Sequence, residues 1–363
     1  MPIDPWSPVP LPCGLALPNR LALAALTNTQ SHPDGTCSDE ERAFLVRRAA
    51  GGFGLVATCA AHVTPDGQGW PGELGVWGDH QLPGLTALAA AIRERGAVPV
   101  AQLFHGGVRA PRDVTGVQPW SASAFTEDKP GFEVPRAATD DDLARIVAAF
   151  RDAAVRAARA GFGGVEIHGA HGYLLCQFLS RVHNVRTDGW GGDLPGRARL
   201  IRTVTREIRA AVPARFAVGV RLSPEDLGQA RGLDLDESLT VARWLAEDGV
   251  DWVHVSLWDW RKPTTKRPDQ HALPLFRAAV PPEVPILTAG TVWTHDDVHA
   301  VLELGADGVA VGRAAIVDPD WPTRVVRDHL DPIRPPRTAD QLHQAAVSPR
   351  FVEYLRRFKT LVA

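Results

Sequence analysis

Residues 139–168, TDDDLARIVAAFRDAAVRAARAGFGGVEIH, hold one complete helix-to-strand unit. Thr139 is placed to cap a helix, and Asp142, three residues on, can close a capping box. Leu143, Ile146, Val147, Phe150, Ala154 and Ala157 then recur at helical spacing on one face. Gly161 stops the helix, and the apolar run Gly164–His168 follows at once. A run that is apolar on successive residues, not alternate ones, is what a strand buried on both faces looks like.

The same design recurs along the chain. Asp236–Asp248 and Thr294–Gly305 each begin with polar or acidic residues, carry an apolar stripe and stop before another short apolar run. The runs are Leu21–Leu26, Gly54–Ala60, Val98–Phe104, Gly164–His168, Phe216–Leu222, Trp252–Leu257, Val284–Ala289 and Asp307–Gly312. Alternating β and α elements imply a parallel sheet with right-handed crossovers. Eight units predict a closed (β/α)₈ TIM barrel. An open doubly wound sheet would usually carry GxGxxG after its first strand, and here that strand ends Leu26-Thr27-Asn28-Thr29. A barrel needs about 250 residues and often more, so 363 residues read as one barrel domain, 1–363. The irregular stretch 105–138 follows the third strand. It is expected to form a long loop on the substrate side. The Pro-rich piece 332–336 is expected to lead into a short terminal helix.

Composition narrows the function. A net charge of −3 and a pI near 6.5 leave no basic face for nucleic acid. The four cysteines, 13, 37, 59 and 176, form no CxxC pair and suggest neither a zinc site nor an iron–sulfur site. No run is long and apolar enough to span a membrane. The N-terminal MPIDPWSPVPLP has no basic start and no apolar core of a signal peptide. The expectation is a reduced, cytoplasmic enzyme acting on a small molecule.

Catalytic groups of a barrel sit at the C-terminal ends of its strands. The fourth run ends in HGAHGY, residues 168–173. Two imidazoles, His168 and His171, can donate hydrogen bonds to one carbonyl oxygen and stabilise charge that develops there. Tyr173, one of only two tyrosines, can supply a proton. A metal pair or packed structural histidines are the competing readings. A metal pair needs a third ligand, and no spacing ties His105 or His183 to this site.

GFGGVEIHGAHGYLL, followed by QFLSRVHNVRTDGWGG at 177–192 and by Arg197 and Arg199, closely resembles the old yellow enzyme family. The resemblance covers nearly the whole chain. NRLALAALTNTQS at 19–31, Gln102-Leu103-Phe104-His105, Val220-Arg221-Leu222-Ser223 and Val311-Gly312-Arg313 match in order at the first, third, fifth and eighth strands. It implies FMN as cofactor and NAD(P)H as reductant. Ala25, Leu26 and Thr27 would border the flavin ring, with the Thr27 hydroxyl on its C4 carbonyl. Ala60, read as the end of the second strand, would line the ring's path. Gln102 would meet the pyrimidine edge and Arg221 the N1 and C2 carbonyl side. Gly290, Gly312 and Arg313 would hold the phosphate, where barrels commonly do so.

The implied substrate is an enone, an enal or a nitroalkene. Its oxygen would be held by His168 and His171, and its α-carbon protonated by Tyr173. Some positions depart from the family. Cys59 stands where an acid is common, and Thr27 stands where one subgroup has cysteine; Asn28 and Thr29 also differ. Trp258 and Trp260, after the sixth strand, could form a substrate wall or simply pack. A homo-oligomer is compatible with the sequence. Two other classes stay open: a phosphate-binding lyase or isomerase with Glu166 as base, and a flavin-binding protein without turnover.

Overall fold

The computed structural model describes residues 3–363. The eight runs become eight parallel strands closed into a barrel. They are β1 (Leu21–Leu23), β2 (Leu55–His62), β3 (Val98–Phe104), β4 (Gly164–Gly169), β5 (Ala217–Leu222), β6 (Trp252–Ser256), β7 (Ile286–Ala289) and β8 (Gly308–Val311). Closure occurs at β1, where Ala22 pairs with Leu55 of β2 and Leu21 with Val309 of β8. The outer ring contains α1 (Asp39–Ala50), α2 (Leu82–Arg93), α3 (Asp140–Arg159), α4 (Leu194–Ala211), α5 (Leu235–Glu247), α6 (Ala272–Ala279), α7 (His295–Glu303) and the short α8 (Arg313–Val317). Thr139 caps α3 and Asp142 completes the box; Thr294 and Asp297 do the same for α7. The (β/α)₈ barrel expected from the sequence is the architecture found.

The strand residues divide by parity. Val165, Ile167, Val218, Val220, Val253 and Val255 belong to the core between sheet and helices. Leu55, Ala57, Val100, Ala217, Trp252 and Leu287 belong to a second cluster inside the barrel. Val9 and Leu17, from the small antiparallel pair Val9–Pro10 and Ala16–Leu17, join that inner cluster and seal its end. Both faces are therefore apolar near the strand starts, which is why the runs look continuous. Farther along, the inward positions turn polar: Gln102, Glu166, His168, Arg221, His254 and Ser256, all buried. The apolar half closes the barrel and the polar half faces the chemistry.

Two local features fit this interior. A Cβ on Gly219 would lie 1.9 Å from the Trp252 indole, so only glycine leaves room for that ring. In β2, Ala57 pairs with Val100 but Ala60 pairs with Gln102, so one extra residue bulges out. The Thr58 hydroxyl accepts the Gln102 backbone N–H there at 3.2 Å. The strand continues to His62, so Ala60 lies two residues inside its end and is not its last residue, as the sequence suggested.

The stretch after β3 is not wholly irregular. Trp120–Ser121 pairs with Arg136–Ala137 within it. The chain ends in two helices, Ala339–Gln344 and Pro349–Leu355, where one was expected. No helix among the described residues is long and apolar enough to cross a membrane.

Candidate active site

A cavity of about 580 Å³ opens at the C-terminal ends of the strands. That is within the size range of cofactor and substrate pockets, about 300–1,000 Å³. Its lining brings together Ala25, His171, Tyr173, Arg221, Gly290, Gly312 and Arg313, which lie far apart in sequence. His168 adjoins it: its ring centroid is 5.0 Å from both His171 and Tyr173, edge to face.

The turn after β4 aims these groups. His171 and Gly172 both have left-handed backbone, φ +62° and +78°. For histidine this is an uncommon conformation, and its neighbours hold it. The His171 N–H donates to Ser223 Oγ at 3.1 Å. Gln177 Nε2 donates to the Gly172 carbonyl at 2.8 Å. A Cβ on Gly172 would meet the Gln229 carbonyl oxygen at 2.5 Å, so position 172 needs glycine on both counts.

Hydrogen bonds also set the proton positions. The Ala170 N–H donates to His168 Nδ1 at 3.3 Å, which puts the ring proton on Nε2. Ser256 Oγ receives Arg221 Nε at 3.3 Å and Nη2 at 3.0 Å. Its own proton therefore points to His171 Nε2, 2.7 Å away, and His171 carries its proton on Nδ1. Burial, reinforced by the Arg221 charge, holds His168 down to about 3 and His171 well below the usual histidine range. Both rings are neutral donors at physiological pH. Burial, with the Glu73 charge adding to it, pushes the Tyr173 phenol up to about 12, so it keeps its proton.

Beneath these groups lies a network that sequence reasoning did not find. Glu166 accepts from Gln102 Nε2 at 2.7 Å, from Trp252 Nε1 at 3.2 Å and from His254 Nδ1 at 2.9 Å. Burial would raise this carboxyl, but the His254 ring, Arg221 and the Gln102 amide outweigh it and hold it at about 2. Glu166 is thus an enclosed carboxylate and not the free base that the lyase reading needed. Gln102 has its amide NH₂ turned toward it.

The remaining expected residues surround the cavity unevenly. Leu26 approaches Gly312, where an added Cβ would find nothing nearer than Leu26 Cδ2 at 4.0 Å. Arg313 donates to Thr291 Oγ1 at 2.8 Å. Thr27 does not line the cavity; its side chain faces the Tyr354 hydroxyl. Ala60 lies deeper, against Gln102. Cys59 is buried beside Glu41 of α1. Glu41 also accepts from Asn28 and Ser31, at 3.0 and 3.1 Å, and so fixes the chain that leaves β1. Trp258 lines the cavity, whereas Trp260 does not and packs against the core. Among the described residues no group of three or more His, Cys, Asp or Glu side chains could hold a metal.

Residues 8–331 match the model of the NADH:flavin oxidoreductase / NADH oxidase family. The chain belongs to this, the old yellow enzyme family. Over 326 residues it is 36% identical to a probable NADH-dependent flavin oxidoreductase of Bacillus subtilis (strain 168), covering 88% of this chain and 87% of that one. It is 34% identical to the NADH:fumarate oxidoreductase of Klebsiella pneumoniae (strain 342), across 88% of this chain but only 35% of that longer protein. The solved structure of morphinone reductase in complex with tetrahydroNAD superposes with a TM-score of 0.80 at 28% identity, over 94% of each chain.

As an old yellow enzyme family member the protein is an oxidoreductase that uses FMN and NAD(P)H. The cavity suits that cofactor. Its lining includes five alanines, Ala24, Ala25, Ala289, Ala310 and Ala314, which leave space for a flat ring. The space in front of Gly312 is open, with nothing nearer to an added Cβ than 4.0 Å. Arg313 at the same mouth supplies a cation for phosphate.

Proposed function

We propose that this old yellow enzyme family member reduces the C=C bond of enones, enals and nitroalkenes, drawing electrons from NAD(P)H. The observation that supports this most is the meeting of two neutral imidazoles and one protonated phenol beside an alanine-floored cavity. FMN, when bound, supplies the hydride. Gly290, Gly312 and Arg313 would hold its phosphate. Ala25, Leu26 and Ala60 would border the ring, with Gln102 at its polar edge; Thr27, turned toward Tyr354, would reach that edge only by changing rotamer. Arg221 is a fixed cation that favours negative charge on that edge.

His168 and His171 donate to the carbonyl or nitro oxygen of the substrate, polarise the conjugated C=C bond and stabilise the negative charge that builds on oxygen. Arg221 holds Ser256, and Ser256 sets the His171 ring and its tautomer. Tyr173 delivers its proton to the α-carbon. We read residues 1–363 as one flavin-binding barrel that works in the cytoplasm, with 105–138 flanking the substrate.

The test is direct. Purified protein should be yellow, release FMN and not FAD on denaturation, and consume NAD(P)H anaerobically when 2-cyclohexenone is added. Colourless protein that FMN does not reconstitute refutes the cofactor assignment. Yellow protein that NAD(P)H reduces but no enone or nitroalkene reoxidises refutes the ene-reductase assignment.

A further inference from the structure

The family match ends at residue 331, yet the chain beyond it returns to the active site. Ser348 N–H donates to Gln30 Oε1 at 3.2 Å, and Arg350 donates to the Ser31 carbonyl at 3.0 Å. The terminal helix Pro349–Leu355 is thereby fastened to the segment that leaves β1. An aromatic column runs through it: Phe44–Phe351 at 5.4 Å, Phe351–Tyr354 at 6.2 Å and Tyr354–Phe358 at 5.6 Å. The last residues are pinned as well, with Ala363 N–H donating to the Arg337 carbonyl at 2.9 Å. The column ends at Phe358, which lines the active-site cavity.

Phe358 is 47% exposed and Trp258 67% exposed. They are the only exposed phenylalanine and tryptophan among the described residues, and both line this one cavity. Large aromatic surface left open to water is unfavourable. When it is concentrated at a pocket it marks a place for an apolar ligand group. The rest of the chain buries or half-buries its aromatic rings. Trp258 is also steadied: its carbonyl accepts from Thr291 Oγ1 at 2.8 Å, and Thr291 in turn accepts from Arg313.

From this we infer that Trp258 and Phe358 are specificity-determining residues that bind an aryl substituent of the substrate at the cavity mouth. The inference rests on the ene-reductase reading and adds a substrate class to it: activated alkenes that carry a flat aromatic ring. The ring contacts are offset or edge-to-face. Trp258 comes from the matched barrel, residues 8–331, and Phe358 from the segment beyond it.

The experiment compares 4-phenyl-3-buten-2-one with 2-cyclohexenone as substrates of the FMN-loaded enzyme. It uses wild type, Trp258→Ala, Phe358→Ala and Phe358→Leu. The ratio of the two kcat/KM values should fall roughly 3- to 10-fold for each alanine variant, the factor expected of one aromatic contact. Tyr354→Ala should lower it too by unseating Phe358, whereas Tyr354→Phe should keep it. Absorbance titration with 4-phenylphenol and phenol gives the same comparison without turnover, and so still tests the inference if the wild type reduces no alkene. An unchanged ratio in both alanine variants overturns the proposal. So does a raised KM for NAD(P)H, or loss of FMN, with aryl preference intact, since the rings would then serve the reductant or the cofactor.

Discussion

Replacing Tyr173 by phenylalanine removes one oxygen and leaves the ring. That ring packs edge-on against Phe104 at 4.5 Å and His168 at 5.0 Å, and both contacts survive the change. The hydroxyl has no protein hydrogen-bond partner among the described residues, so folding stability should move by no more than about 0.5 kcal/mol. Its phenol titrates at about 12, so even at pH 9 only about one molecule in a thousand lacks the proton. Proton supply in the wild type should therefore be insensitive to pH between 6 and 9. In Tyr173→Phe, reoxidation by cyclohexenone should slow by roughly 10²–10⁴-fold, the loss typical of a missing general acid. Reduction by NAD(P)H needs no proton from this residue and should be nearly unaffected. A nitroalkene should suffer less, because its nitronate product can leave and be protonated in water. Stopped-flow absorbance at the flavin band separates the two half-reactions. If the variant turns over cyclohexenone at the wild-type rate, Tyr173 is not the proton donor.

Two further outcomes follow from the geometry. Phenol should bind the oxidised enzyme as phenolate with a long-wavelength absorbance band, and His168→Ala and His171→Ala should each weaken it by roughly 1.5–3 kcal/mol, as for a lost charge-assisted hydrogen bond; unchanged affinity in both would remove the clamp role. The Glu166 carboxyl is lower in the folded protein than its ordinary value of 4.5, so the stability it contributes is present above that value and lost as pH falls toward about 2. Glu166→Gln should therefore flatten the acid limb of the Tm-against-pH curve over that window, by up to roughly 3 kcal/mol; a wild-type acid limb in the variant would show that the carboxylate is not the titrating group.

The barrel was legible because its strands and helices carry their own signals. Each apolar run became a strand, and the Thr139 box became an observed cap. The HGAHGY run was legible for a similar reason: three functional side chains sit within six residues. Ser256 was not, because a serine at the end of an apolar run has meaning only once β5 and β6 lie side by side. Glu166 looked like a possible base because its sequence neighbours are apolar; its partners Gln102, Trp252 and His254 come from β3 and β6. The roles of Thr27 and the C-terminal segment were hidden by distance. Tyr354 meets Thr27 across more than three hundred residues, and no local pattern records that meeting.

The left-handed backbone at His171 restricts what the position can hold. A side chain here is filtered twice, once for a donor and once for tolerance of φ +62°. Valine and isoleucine are strongly disfavoured by the backbone, and threonine and alanine enter it only at some cost, as Thr29, Thr291 and Ala346 do elsewhere in this chain. Glycine accepts the backbone but brings no donor. Asparagine passes both filters, since it enters this region more readily than most residues and carries an amide N–H. His171→Ala thus removes a donor and adds backbone strain together, whereas His171→Asn changes the donor at little conformational cost. Comparing the two separates the chemistry of the clamp from the shape of the turn that presents it.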